Sequence, residues 1–320
     1  MPTACLCLLV LFLLLLGRGR AFAGESPEFA RDERFVDVPG GRVWTLTINP
    51  GAGGTPLLIV HGGPGASHDY LANLSALAGK RPVIFYDQLD CGESGHPGDP
   101  SLWTLERSVA ELDAVRRGLC LERVHLLGQS WGGAICAAFA LGASDPGLSS
   151  LILCAPLVSA PQWVADQKTW LSAMPAAVQS AVSAAEASGE YDGEAYQRAM
   201  DAYYRRHLCR LTPWPNALER TFARMNAAMY VRMWGPSEFT VSGPLRDFDL
   251  SGRLFDIRVP ALLTCGEFDE AAPWSVRRFA KRIPGASAAV LEGGSHMHHL
   301  ECPERYAQLL ERFLERAEAG

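Results

Sequence analysis

Three residues far apart in the chain, Ser130, Asp269 and His296, have the types and settings that nucleophilic catalysis requires. Ser130 lies in the stretch VHLLGQSWGGAIC, residues 124–136. The run before it, 124–127, is apolar on both faces, as in a strand buried in a parallel sheet. The run after it, 134–141, suits a helix. A strand that turns at once into a helix brings two backbones too close for side chains. Glycines are therefore needed two residues before and two after the pivot, here Gly128 and Gly132, with Gly133 following. The pivot is held on a strained turn with its side chain pointing outward. Gly-x-Ser-x-Gly in this setting reads as a nucleophile elbow with Ser130 as the nucleophile.

A serine needs a base, and the base needs an orienting acid. After such an elbow the partners follow in the order acid, then histidine, each on a loop behind a late strand. The apolar run 261–265 leads into Gly266-Glu267-Phe268-Asp269-Glu270, and 288–291 leads into Gly293-Gly294-Ser295-His296. Asp269 and His296 fall where acid and base belong. Glu267 and Glu270 compete for the first role, His298 and His299 for the second. A developing oxyanion needs preorganised N–H donors. His61-Gly62-Gly63-Pro64-Gly65 follows a strand-like run, the position of an HGGG-type oxyanion motif. The expected donors are the amides of Gly63 and of Trp131, the residue after the nucleophile.

These loops need a frame. Runs at 43–48, 56–60, 83–86, 124–127, 151–154, 261–265 and 288–291 read as strands. Leu105, Val109, Leu112, Arg116 and Leu119 mark one face of a helix, and Tyr306, Leu309, Leu310, Phe313 and Leu314 mark another, with Pro303 in its first turn. This rhythm predicts an α/β fold: a mostly parallel sheet with helices on both faces. The rhythm stops at residues 158–245. Alanine-rich helical stretches there are broken by Pro175, Pro213, Pro215 and Pro236, and four of the eight tryptophans gather. The segment reads as a helical cap over the sheet's carboxyl edge, with the core formed by 24–157 and 246–320.

The 320 residues, 48% apolar, are ample for one large core with an insertion. A net charge of −6 without a basic run argues against nucleic acid as a partner. Residues 4–16 are leucine-rich but short for a membrane span, and Ala21-Phe22-Ala23 is a small-x-small cleavage pattern. Residues 1–23 are therefore expected to be a secretory signal peptide, with export and no stable membrane insertion after cleavage. The absence of Lys and Arg before the apolar run, with Arg18 and Arg20 behind it, leaves an uncleaved anchor as the alternative. Of nine cysteines, Cys5 and Cys7 lie in this leader, so seven remain and at least one lacks an intramolecular partner. Cys136, Cys154 and Cys265 sit in apolar runs as buried thiols would, and disulfide pairing is not readable from spacing. No CxxC or His/Cys spacing suggests a metal. Asn73-Leu74-Ser75 is a glycosylation sequon.

HGGPG, YDQLDCGESG (86–95), GQSWGG, GEFDEAAP (266–273) and GGSHMHHLE (293–301), in that order, resemble the prolyl aminopeptidase (proline iminopeptidase) family of α/β-hydrolases. The resemblance covers about residues 33–315. It implies the α/β-hydrolase fold with a helical cap, and removal of an N-terminal residue, preferably proline, from short peptides or amino-acid amides, with no cofactor. GPSEFTVSG (235–243) resembles the family segment whose glutamate binds the substrate's free amine, which maps to Glu238. The family's second amine-binding glutamate follows the triad aspartate and maps to Glu270. Asp90 stands where the family has a glycine. The rival readings are an esterase or amidase without amine recognition, and a catalytically silent ligand receptor. A dehalogenase or epoxide hydrolase would resemble this fold with Asp at the elbow.

Overall fold

The computed structural model describes residues 29–142 and 147–319; the expected leader, 1–23, lies outside them. Eight strands form one sheet: β1 (Arg31–Val38), β2 (Gly41–Ile48), β3 (Leu57–Val60), β4 (Val83–Tyr86), β5 (Val124–Gln129), β6 (Leu148–Cys154), β7 (Ala261–Gly266) and β8 (Ser287–Leu291). Their order is β1-β2-β4-β3-β5-β6-β7-β8. The β1–β2 and β2–β4 pairs are antiparallel and all others parallel. β3 and β4 are buried along their whole length, which is why both read as unbroken apolar runs. β1, RDERFVDV, is mostly exposed and was not expected from the pattern. It pairs with β2 from Arg31 opposite Ile48 to Val38 opposite Gly41, and its charges blunt the sheet edge.

Alternate strand residues feed two cores. Leu58, Val60, Leu126 and Leu263 pack with α1 (Leu105–Gly118), α2 (Trp131–Gly142) and, further along the chain, the helix Pro273–Ala280. Leu57, Ile59, Leu127 and Leu262 pack with the 3-10 segment His68–Gly79 and the C-terminal helix Pro303–Ala319. The sheet is thus covered on both faces, as the strand–helix rhythm predicts.

Between β6 and β7 come α3 (Ala160–Ser172), α4 (Ala176–Ser188), α5 (Glu194–His207), α6 (Asn216–Ala223) and α7 (Ala227–Met233). Pro175 and Pro215 cap the starts of α4 and α6, so two of the prolines that break the sequence pattern begin helices. The segment has its own apolar cluster, including Met174, Val182, Tyr196, Met200, Tyr203 and Phe239. α8 (Pro273–Ala280), α9 (His298–Glu301) and α10 (Pro303–Ala319) complete the chain.

The turn after β4 accommodates the unusual Asp90. Its φ is +66°, the left-handed region that a glycine would occupy freely. Its carboxylate accepts from Trp103 Nε1 (2.7 Å) and from the Gly98 amide (2.8 Å), bonds that hold the aspartate in this conformation. The seven described cysteines are free, Cys120 exposed and the others buried. At the sequon, Asn73 Nδ2 donates to the His299 carbonyl (2.7 Å), so the atom that would carry a glycan is already bonded. No helix among the described residues is long and apolar enough to cross a membrane.

Candidate active site

Ser130 sits between the last residue of β5 and the first of α2 with φ +55°, a strained value for an L residue. Its amide donates to the Cys154 carbonyl (2.9 Å), and its carbonyl accepts from Leu157 (3.0 Å), which fixes the pivot to the end of β6. The flanking glycines allow the turn. A Cβ on Gly132 would stand 2.1 Å from the Val60 carbonyl oxygen, and one on Gly128 2.2 Å from that of Gly132. The backbones of β3, β5 and α2 meet here, and nothing larger than hydrogen fits between them.

Asp269 lies in the turn after β7, fully buried. Its Oδ2 accepts the Gly266 amide (3.0 Å) and its Oδ1 the Ala271 amide (2.8 Å). His296 Nδ1 lies 2.8 Å from the same Oδ1. An ionised carboxylate only accepts, so this contact places the proton on Nδ1 and leaves Nε2 free to take one. Burial alone would raise the Asp269 pKa. The charge and hydrogen bond of His296, with help from His298, outweigh that and hold it down at about 2. Ser130 and His296 line one cleft together with Gly63, Glu238 and Glu270. Among the described residues no hydrogen bond joins Ser130 Oγ to His296; such contacts commonly close only in the substrate complex.

The competitors occupy other positions. Glu267 is exposed and accepts the Gly293 amide (3.0 Å). His298 is buried beneath Asp269, with Nδ1 3.2 Å from the Ser295 carbonyl and Nε2 3.0 Å from Thr264 Oγ1. His299 is buried with Nε2 3.1 Å from the Tyr70 carbonyl. His296 is the one of the three that lines the cleft.

The glycine loop is fastened by residues that the motif reading missed. Tyr70 OH accepts the Gly62 amide (2.7 Å) and donates to Gln129 Oε1 (2.6 Å). That commits the Gly62 N–H and leaves Gly63, at φ +110° on the cleft wall, as the next donor. The Trp131 amide opens α2, where no carbonyl four residues earlier exists within the helix. Gln88 ties the two together. Its side chain donates to the His61 carbonyl (2.8 Å) and accepts from Trp131 Nε1 (3.1 Å). Gln88 and Gln129 both stand in quoted motifs, which is the signal that could have marked them.

The acidic pair is built from two separate segments. Glu238, half-buried after α7, accepts from Tyr230 OH and, at 3.3 Å, from Trp163 Nε1. Glu270 is buried, and its Oε1 has no partner among the described residues. Burial pushes the Glu270 carboxyl well above the usual range, and the neighbouring Glu238 and Asp269 charges add to this. Burial also raises Glu238, although the Tyr230 bond and His296 oppose it. α3 holds the loop that carries Asp269 and Glu270: Trp170 Nε1 donates to the Asp269 carbonyl and Gln167 Nε2 to that of Glu270, both at 2.9 Å. The end of α5 holds the other loop, with the His296 amide donating to the His207 carbonyl (3.0 Å). Three of the clustered tryptophans thus serve the site: Trp163 and Trp234 line it and Trp170 braces it.

Comparison with known proteins bears on this arrangement. Residues 55–303 match the alpha/beta hydrolase fold family. The chain is 42% identical over 283 residues to the proline iminopeptidase of Heyndrickxia coagulans, covering 88% of this chain and 98% of that one. It superposes on the crystal structure of the Mycobacterium smegmatis proline iminopeptidase with a TM-score of 0.84 and 36% identity, covering 90% of this chain and 99% of that one. The crystal structure of VinJ gives a TM-score of 0.85 and 35% identity, over 89% and 99%.

Proposed function

The chain belongs to the alpha/beta hydrolase fold family and, within it, to the proline iminopeptidases, and from that premise we propose that it is a serine aminopeptidase releasing an N-terminal residue, preferably proline, from short peptides or amino-acid amides. Ser130 Oγ attacks the carbonyl carbon of the N-terminal residue while His296 Nε2 takes the hydroxyl proton. The amides of Gly63 and Trp131 receive the charge that develops on the carbonyl oxygen. As the tetrahedral intermediate collapses, the C–N bond breaks and His296 passes its proton to the leaving amine. Water, deprotonated by His296, then hydrolyses the acyl-enzyme and frees Ser130. Asp269, ionised throughout the neutral range, holds the imidazole in the tautomer that each transfer requires.

The observation that carries the exopeptidase reading over a plain esterase is the Glu238–Glu270 pair. Two carboxyls on one cleft wall, one of them buried with an unpartnered oxygen, are costly unless a cation joins them. A substrate's terminal ammonium supplies that cation and sets the distance from the chain end to the scissile bond. Replacing Glu238 with Gln keeps the size and removes the charge. A charge-assisted hydrogen bond is worth about 1.5–3 kcal/mol, so kcat/KM on proline arylamide should fall roughly 10- to 150-fold. An acetate ester, which has no amine, should lose little. Equal losses on both substrates would leave the esterase reading in its place.

We further infer that residues 1–23 direct export and are cleaved after Ala23. The support is the short leucine-rich run and the Ala-Phe-Ala pattern.

A further inference from the structure

Around its acidic pair the cleft is lined by Trp163 and Tyr230, which donate to Glu238, and by Trp234. The remaining wall has a different chemistry. It includes Leu208, Leu218, Thr221, Phe222, Met225 and Met297. Hydrogen bonds tie these residues to the glycine loop and to the loop that carries His296. The Tyr70 amide donates to Thr221 Oγ1 (3.2 Å), and the Asn226 amide to the Gly65 carbonyl (2.8 Å), which sets α6 and its following turn beside the glycine loop. The Met297 amide donates to the Leu208 carbonyl (2.9 Å), which closes the wall next to His296. The leaving nitrogen must face His296 to collect its proton, so with the amine held by Glu238 and Glu270 the leaving group extends into this lobe.

The charges around it are settled in a way that excludes an anion. Among the described residues no Lys or Arg lines the cleft, and the carboxylates that line it are Glu238 and Glu270. The cations of α6 and its turn are engaged elsewhere: Arg220 with Asp69 (3.2 Å), and Arg224 with Asp69 (3.7 Å) and with Glu93 (2.5 Å). Resting on the aminopeptidase reading, we propose that this lobe is a leaving-group subsite for neutral, apolar groups. These are an aryl or alkyl amine, a C-terminally amidated residue, or the apolar second residue of a longer peptide. The free carboxylate of a dipeptide would meet no Lys or Arg there and would lose its hydration against apolar side chains.

The wild-type enzyme tests this without any substitution. On Pro-Phe-NH2 its kcat/KM should exceed that on Pro-Phe, and that on Pro-Gly-NH2, by roughly tenfold or more. Phe222→Ala should cut the preference for Pro-Phe-NH2 over Pro-Gly-NH2 by roughly tenfold, because the apolar contact is lost. Met225→Arg, at a half-buried position, should shift the ratio of Pro-Phe to Pro-Phe-NH2 toward the free acid by a similar factor. Labelling of Ser130 by a fluorophosphonate certifies that each variant is folded. Equal rates on Pro-Phe-NH2 and Pro-Phe, or unchanged ratios in the labelled variants, would overturn the subsite alone. Absence of turnover on every proline substrate, with labelling intact, would overturn the aminopeptidase reading and the subsite with it.

Discussion

Glu270 illustrates how a buried, unpartnered carboxyl weakens the fold that carries it. Its raised pKa means that the folded protein favours the neutral carboxyl. That contribution is complete below the ordinary glutamate value of about 4.3 and is lost as pH rises through the raised one. Glu270→Gln removes the loss, so the variant should melt higher than wild type at pH 8, by roughly 2–4 °C, with the gap narrowing at pH 5. A gap that widened toward pH 5 in paired thermal melts would contradict this account. Ser130→Ala should leave the melt close to wild type and lower kcat by roughly 10⁴ or more; retention of a tenth of the activity would mean another nucleophile. The placement of Ser130, Asp269 and His296 behind strand ends was legible because an elbow and two strand-end loops constrain the sequence around them. Tyr70 was not, since its bond to Gln129 spans 59 positions and a buried tyrosine in an apolar segment looks like any core residue. Gln167, 103 positions from Glu270, was hidden for the same reason.

At the scale of elements, β3 and β4 were the most readable strands because burial on both faces leaves them unbroken apolar runs. β1 escaped because an edge strand with one partner keeps its charges, and its sequence carries almost no period. The junction of β5 and α2 tolerates little change. Gly132→Ala would put a methyl 2.1 Å from the Val60 carbonyl oxygen, and that oxygen belongs to a strand paired on both sides. The cost should be about 1–3 kcal/mol or more, read as a lower denaturation midpoint with an unchanged m-value. Activity should fall further than stability accounts for, since the Trp131 amide moves with the helix start.

For the whole molecule, the alternation of strand and helix disclosed the two-faced sheet, while the inner contacts of segment 158–245 stayed hidden because helices of mixed period can pack in many ways. Export is tested on the intact chain: protein recovered from its native host should begin near Gly24, and a soluble cytosolic product starting at Met1 would refute the leader. The bonds from α3 and α5 to the acid and base loops carry one more consequence, for how such a protein can change over time. A segment inserted between two strands looks exchangeable, a part that a gene fusion could swap for another. Here Trp170 and Gln167 bond the carbonyls of Asp269 and Glu270, and the His207 carbonyl receives the His296 amide. A foreign insert would arrive without these partners and leave both loops unmoored. New substrate preferences in this lineage should therefore arise by substitution within the existing segment, one side chain at a time, and chimaeras that replace it whole should be folded but inactive.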